Sequence, residues 1–223
     1  MTFSLIARCA RTGQFGMVIS SSSPAVAARC AHVRAGVGAV ASQNITDPAL
    51  GPELLDHLSK GEPAQMALAA VATGRAFIDY RQLLVIDAHG GRALHSGRHV
   101  LGLWGEASGL DCAAGGNLLA GLSVPGAMVA AFEQATGHLG DRLMAGLQAG
   151  LAAGGEAGPV HSAGLKIAGK LDWPLVDLRV DWSDAPIEAL AMAWAVYRPQ
   201  MDAYVQRALD PTIAPTYGVP GDA

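Results

Sequence analysis

Two periods of hydrophobic spacing alternate along the chain. Thr2-Phe3-Ser4-Leu5-Ile6-Ala7-Arg8 and Phe15-Gly16-Met17-Val18-Ile19-Ser20-Ser21-Ser22-Ser23 are dense in apolar and β-branched residues, with Arg11-Thr12-Gly13-Gln14 between them. The pattern predicts two strands joined as a hairpin, ended by Pro24. A third strand is expected over residues 32–43, where valine alternates with alanine and glycine and lets another backbone come close. Helical spacing then takes over: Leu50, Leu54, Leu55 and Leu58 follow Thr46 or Asp47 as N-cap, and Pro63 opens a second helix over residues 64–73 before Gly74. A hairpin over 82–87 and 92–97 comes next, then short strands over 100–104 and 109–113 and a glycine-rich loop over 115–121. Helices from Pro125 and over 139–153, strands over 162–167 and 176–181, and a helix from Pro186 to about Leu209, interrupted near Pro199, complete the pattern. Helices arrive in pairs and strands in hairpins, which predicts an α+β fold of two stacked antiparallel sheets with helices outside each.

Composition narrows the setting. At 223 residues and 51% hydrophobic, the chain can bury a sizeable core as one domain, read here as residues 1–209, with a Pro- and Gly-rich tail over 210–223. Charged residues are 15% and the net charge is −4, without a Lys/Arg cluster, so nucleic acid is not expected as a partner. The apolar runs are shorter than a membrane span, and no charged-then-apolar leader opens the sequence, which predicts a cytoplasmic location and no membrane partner. Low surface charge also predicts a homo-oligomer. Cys9, Cys30 and Cys112 lack metal-ligand spacing and read as reduced, packed thiols.

Candidate chemistry begins at Thr2. Removal of Met1 ahead of this small residue would expose an α-amine of pKa about 8 beside the residue's own hydroxyl, a nucleophile and its base in one residue. The same residues are also an ordinary start to a strand. Arg34 is the one charge on a strand of small residues, and is either a rim residue or an anion partner for a substrate carboxylate, facing a pocket near Thr2. Gln43, Asn44 and Asn117 are oxyanion or substrate-amide partners, or turn residues bonding their own backbone, and the glycines around Gly115 and Gly116 suit an oxyanion or a close sheet contact equally. His95 is a candidate for substrate contact; with Ser96 and Asp87 it could form a serine triad, but no Gly-x-Ser-x-Gly marks a nucleophile elbow. His95 and His99 stand without a ligand cluster, so neither a metal nor a cofactor is expected. Asp177, Arg179 and Asp181 read as structural ion pairing.

Thr2 opening a strand, a hairpin ending in serines and a small-residue third strand with a basic residue resemble the N-terminal nucleophile (Ntn) hydrolases, which include proteasome β subunits. More closely, Thr2 to Arg8, Arg34-Ala35-Gly36-Val37-Gly38-Ala39-Val40-Ala41-Ser42-Gln43, Gly116-Asn117-Leu118-Leu119-Ala120-Gly121 and Asp177-Leu178-Arg179-Val180-Asp181 resemble the bacterial domain of unknown function 1028 family, from Thr2 to about Leu190. The resemblance implies a four-layer αββα sandwich and a threonine hydrolase of an amide, lactam or imide bond in a small molecule. It puts Thr2 at the nucleophile and Arg34 where proteasome-type chains carry a lysine; arginine cannot act as base and would supply only charge. Ser22 or Ser23 stands where those chains have an aspartate. The alternative is a non-catalytic Ntn-fold scaffold or small-ligand binding protein.

Overall fold

The computed structural model describes residues 2–220. Along the chain run β1 (Thr2–Arg8), β2 (Phe15–Ser21), α1 (Val26–Cys30), β3 (Ala31–Arg34), β4 (Gly38–Asn44), α2 (Leu50–Ser59), α3 (Ala64–Ala72), β5 (Arg81–Asp87), β6 (Arg92–Ser96), β7 (Gly105–Gly109) and β8 (Cys112–Asn117). After them come α4 (Ser123–Gln134), α5 (Leu139–Ala152), β9 (Ser162–Ala168), β10 (Pro174–Val180), α6 (Pro186–Tyr197) and α7 (Met201–Leu209). One sheet has the order β10-β9-β2-β1-β8-β7, the other β3-β4-β5-β6, and neighbouring strands are antiparallel throughout. β1 is therefore a central strand, paired on both edges.

The sheets stack face to face, and each strand's alternation divides its residues between two cores. Ile6, Phe15, Met17, Ile19, Ala39, Ala41, Leu84, Ile86 and Ala113 fill the layer between the sheets. Phe3, Leu5 and Val18 point the other way, under Met128 and Phe132 of α4, Leu143 and Leu147 of α5, and Leu190 and Trp194 of α6. On the far side Val40, Leu83 and Val85 meet Leu54 and Leu58 of α2 and Ala67 and Val71 of α3, the stripe expected from their spacing. The architecture is a four-layer αββα sandwich. Cys9, Cys30 and Cys112 are buried free thiols.

Three expected elements are rearranged. Residues 32–43 are not one strand: Gly36, at φ +68°, reverses the chain, and Val37 N–H donates to the Arg34 carbonyl at 3.2 Å, giving the β3–β4 hairpin. The 100–104 strand and the glycine loop are displaced too. Residues 101–103 form a connection whose Leu101 and Leu103 carbonyls accept the N–H groups of Leu118 and Leu119, while Gly115-Gly116-Asn117 belong to β8. Glycine is tolerated in that strand because the other sheet comes close: a Cβ on Gly115 would lie 3.0 Å from the Leu84 side chain. The interruption at Pro199 occurs as expected, between α6 and α7.

Asp87, at the end of β5, is spent on structure. Its Oδ2 accepts the Ala64 N–H at 2.9 Å, capping α3 from another strand, and its Oδ1 accepts His89 and Gly91 N–H at 2.9 and 2.8 Å. Asp87→Ala would strand three main-chain donors. It is expected to lower unfolding stability by about 3–5 kcal/mol in urea titration, with Asp87→Asn losing less.

Candidate active site

Alternation along five strands assembles the site. On the inner face lie Thr2, Ser4 and Ile6 of β1, Met17, Ile19 and Ser21 of β2, Ala113, Gly115 and Asn117 of β8, Ala39, Ala41 and Gln43 of β4, and Gln82, Leu84 and Ile86 of β5. The apolar members form the inner core. The polar ones gather at the end where β1, β5 begin and β2, β4, β8 finish, and Thr2, Ser4, Ser21, Gln43, Gln82 and Asn117 are all buried there. Buried polar groups persist only when bonded, and these bond one another.

Two main-chain carbonyls orient the network. Gln43 Nε2 donates to the Gly115 carbonyl at 3.3 Å and Gln82 Nε2 to that of Gly116 at 3.2 Å, so both amide oxygens are left as acceptors. Gln43 Oε1 accepts the Ser4 hydroxyl at 2.7 Å. Gln82 Oε1 accepts Gln43 Nε2 at 2.8 Å and Asn117 Nδ2 at 3.1 Å. Gln82 Nε2 also donates to Ser96 Oγ at 2.9 Å, and the Ser96 hydroxyl in turn donates to Glu106 Oε1. Every direction is then determined, and the chain ends at Asn117 Oδ1, a buried acceptor without a partner among the described residues. Asn117 is the cross-strand neighbour of Thr2.

Thr2 itself is 4% exposed, and its hydroxyl donates to Ser21 Oγ at 3.4 Å. Beyond Ser21, the Ser22 N–H donates to both carboxylate oxygens of Glu156, at 3.0 and 3.3 Å. Glu156 also bridges to Leu119, past the end of β8, flanked by Ala120 N–H to the Gly155 carbonyl at 3.0 Å and Ala157 N–H to the Leu118 carbonyl at 2.9 Å. β1 runs between β2 and β8, so a residue bonded to the continuation of each lies across the end of β1. Glu156 is that residue. Burial raises its carboxyl from the ordinary 4.5 to about 7, against the opposing pull of the Ser22 donors. The native state therefore binds a proton that the unfolded chain releases. Stability from this group is present below about pH 4.5 and is lost as pH rises to 7, by about 3 kcal/mol at most. Urea midpoints measured between those limits should fall with pH, and the fall should flatten in Glu156→Gln.

Not every candidate named from the sequence reaches this end of the sandwich. Thr2, Gln43 and Asn117 converge as described. Arg34 does not: it pairs with Asp56 of α2 at 2.8 Å, its side chain 39% exposed, and faces Gly38 at the opposite end of β4 from Gln43, about 17 Å away by strand rise. The hairpin at Gly36 carries it off. His95 faces the α3 side, where its Nε2 meets the Ile78 carbonyl at 3.2 Å; its neighbour Ser96 turns inward instead. Asp87 lies at the other end of β5 from Ser96, so no triad forms. Asn44, at φ 72°, is a connector, donating to the Tyr80 carbonyl at 2.6 Å and accepting Leu101 N–H at 3.2 Å. Gly115 and Gly116 pair with both β1 and β7, and Leu118, Leu119 and Ala120 donate to carbonyls, so these amides are not the open oxyanion donors expected of a loop. Asp177 pairs with Lys166 at 3.2 Å, and Arg179 with Asp181 at 3.9 Å.

Glu156, Gln82 and Ser4 were not singled out in the sequence, and Ser96 was named only for a serine triad with His95 and Asp87. Gln82 carries a faint signal, as an amide opening a run of four apolar residues, and Glu156 another, as a lone carboxylate among glycines after a helix. Among the described residues no group of three or more His, Cys, Asp or Glu side chains could hold a metal ion, and no helix is long and apolar enough to cross a membrane.

Among solved structures the chain is similar to protein SPO2555 from Silicibacter pomeroyi, a DUF1028 structure, at 29% identity and a TM-score of 0.86, over 92% of this chain and 90% of that one. It is loosely similar to Anbu (ancestral beta-subunit) from Yersinia bercovieri, at 10% identity and a TM-score of 0.40, over 91% of this chain and 97% of that one. No curated protein matches the sequence. Residues 2–190 match the family of unknown function DUF1028, and the chain belongs to that family.

Proposed function

We propose that this chain is an Ntn-type hydrolase of an amide, lactam or imide bond in a small molecule, with Thr2 as nucleophile once Met1 is removed. The observation that supports this reading is the burial of the Thr2 hydroxyl on the inner face of a central strand, where side-chain amides and hydroxyls converge. In the reaction, the Thr2 α-amine takes the hydroxyl proton, directly or through one water, as Oγ1 attacks the carbonyl carbon. The resulting ammonium gives that proton to the leaving nitrogen as the C–N bond breaks, and water then hydrolyses the Thr2 ester. Asn117 Oδ1 can accept only, so its role is to hold a donor, either a substrate N–H or the amine itself. It is not an oxyanion donor.

Intact-mass measurement followed by an amide and lactam substrate panel tests the reading. A mass lacking one methionine, turnover of at least one substrate and an acyl adduct mapped to Thr2 are the expected results. Retained Met1 would sink it and leave the small-ligand binding alternative.

A further inference from the structure

We infer that Glu156 is the counter-ion of the Thr2 α-amine, holding it in place and stabilising the ammonium formed when it takes the hydroxyl proton. This rests on the Thr2 reading and adds a residue to it. The geometry comes from the sheet. The β1–β2 register, Phe3 opposite Ser20, carries Thr2 to Ser21, as their hydroxyl contact also shows. On its other edge Thr2 is opposite Asn117. Residues 155–157 bond to 118–120 beyond that point, and the Glu156 side chain reaches Ser22 on the far edge. Gly155 packs under β1 itself, where a Cβ would lie 3.3 Å from the Phe3 ring. The Glu156 carboxylate thus lies in the line of β1, on the side from which the Thr2 nitrogen projects.

The chemistry fits that placement. Glu156 is 4% exposed, and a buried carboxylate needs donors or a cation. Ser22 bonds it through its N–H and its side chain, and a carboxylate with about four lone-pair sites still has room for an ammonium. Among the described residues, Ser22 after β2 and His161 before β9 act on it against the effect of burial, and both favour its charged form. Glu156 is a positioning residue: the bond-forming atoms are those of Thr2 and the substrate, and the carboxylate acts through the amine, as an aspartate steadies an imidazolium in a serine triad.

The test uses the processed full chain and reads the amine directly. The pKa of the Thr2 α-amine is obtained from the pH dependence of its reaction with a small acylating reagent, followed by mass spectrometry of the N-terminal peptide. In Glu156→Gln it should drop by about one unit or more, with kcat down about 100-fold on any substrate turned over and KM little changed. Glu156→Asp, which keeps the charge on a shorter arm, should restore part of both, and serves if the Gln variant does not fold. An amine pKa equal in wild type and Glu156→Gln would overturn the inference while leaving Thr2 as nucleophile. A shifted pKa in a protein whose turnover ignores Thr2→Ala would keep the ion pair and sink the hydrolase reading. Retained Met1 would overturn both.

Discussion

Thr2→Ala is expected to leave a folded protein without measurable turnover, while Thr2→Ser keeps part of the activity. The lost hydroxyl gives up its long bond to Ser21 Oγ, a cost in stability of about 1 kcal/mol, far less than unfolding requires. The loss in rate is of another order, because removal of a covalent nucleophile removes the acyl intermediate itself, a drop of about 1000-fold or more. Serine preserves both the amine and a hydroxyl on the same carbon. It lacks the methyl group that restricts χ1, so fewer molecules hold the hydroxyl toward the substrate. A protein carrying extra residues ahead of Thr2 should be inactive for a different reason: an amide nitrogen is no base. Thermal melts and progress curves on the three variants check this, and equal activity in Thr2→Ala and wild type would place the chemistry elsewhere.

Gln82→Leu carries the second large effect. Gln82 makes four hydrogen bonds, two as donor to the Gly116 carbonyl and Ser96 Oγ, two as acceptor from Gln43 and Asn117. Leucine has nearly the same volume, so no cavity opens; the cost is that of stranded polar groups. Asn117 Nδ2 and the Gln82-directed lone pair of the Gly116 carbonyl lose their partner in a buried layer, about 2–4 kcal/mol together. Asn117 also loses what orients it beside Thr2, so turnover should fall along with the urea midpoint. Adding Asn117→Leu should cost less than the sum of the two single changes, since the second substitution removes a group the first had stranded. Strict additivity would mean that the network is not a unit.

Strand and helix order was legible because it is a local matter of spacing. Leu54, Leu58, Ala67 and Val71 form the stripe that covers the four-stranded sheet, and Thr2 to Arg8 form a buried strand, as their patterns say. The polar end of the inner layer was half legible. Thr2, Gln43 and Asn117 stand out as polar residues at strand ends, yet the same residue types at Asn44 merely tie a connection together. Gln82 reads as an ordinary strand position, and Ser96 as a triad candidate beside His95, until β5 and β6 pair in register.

What the amino-acid sequence by itself determined is the set of periodic segments, their apolar faces and the chemical types available at their ends, because side-chain alternation follows from the backbone alone. Tertiary structure decided which ends meet. Gly36 could continue a strand or reverse it, and by reversing it sent Arg34 to Asp56 and away from Thr2. Gly115 and Gly116 could be a loop or a strand, and pairing with β1 and β7 made them strand, with Leu84 of the opposite sheet close over Gly115. Glu156 lies 154 residues from Thr2 along the chain, and no local pattern relates them. The inferred pairing arises because β2 and β8 flank β1 and residues 155–157 bond beyond the start of β1, a consequence of strand order that spacing along the chain does not encode.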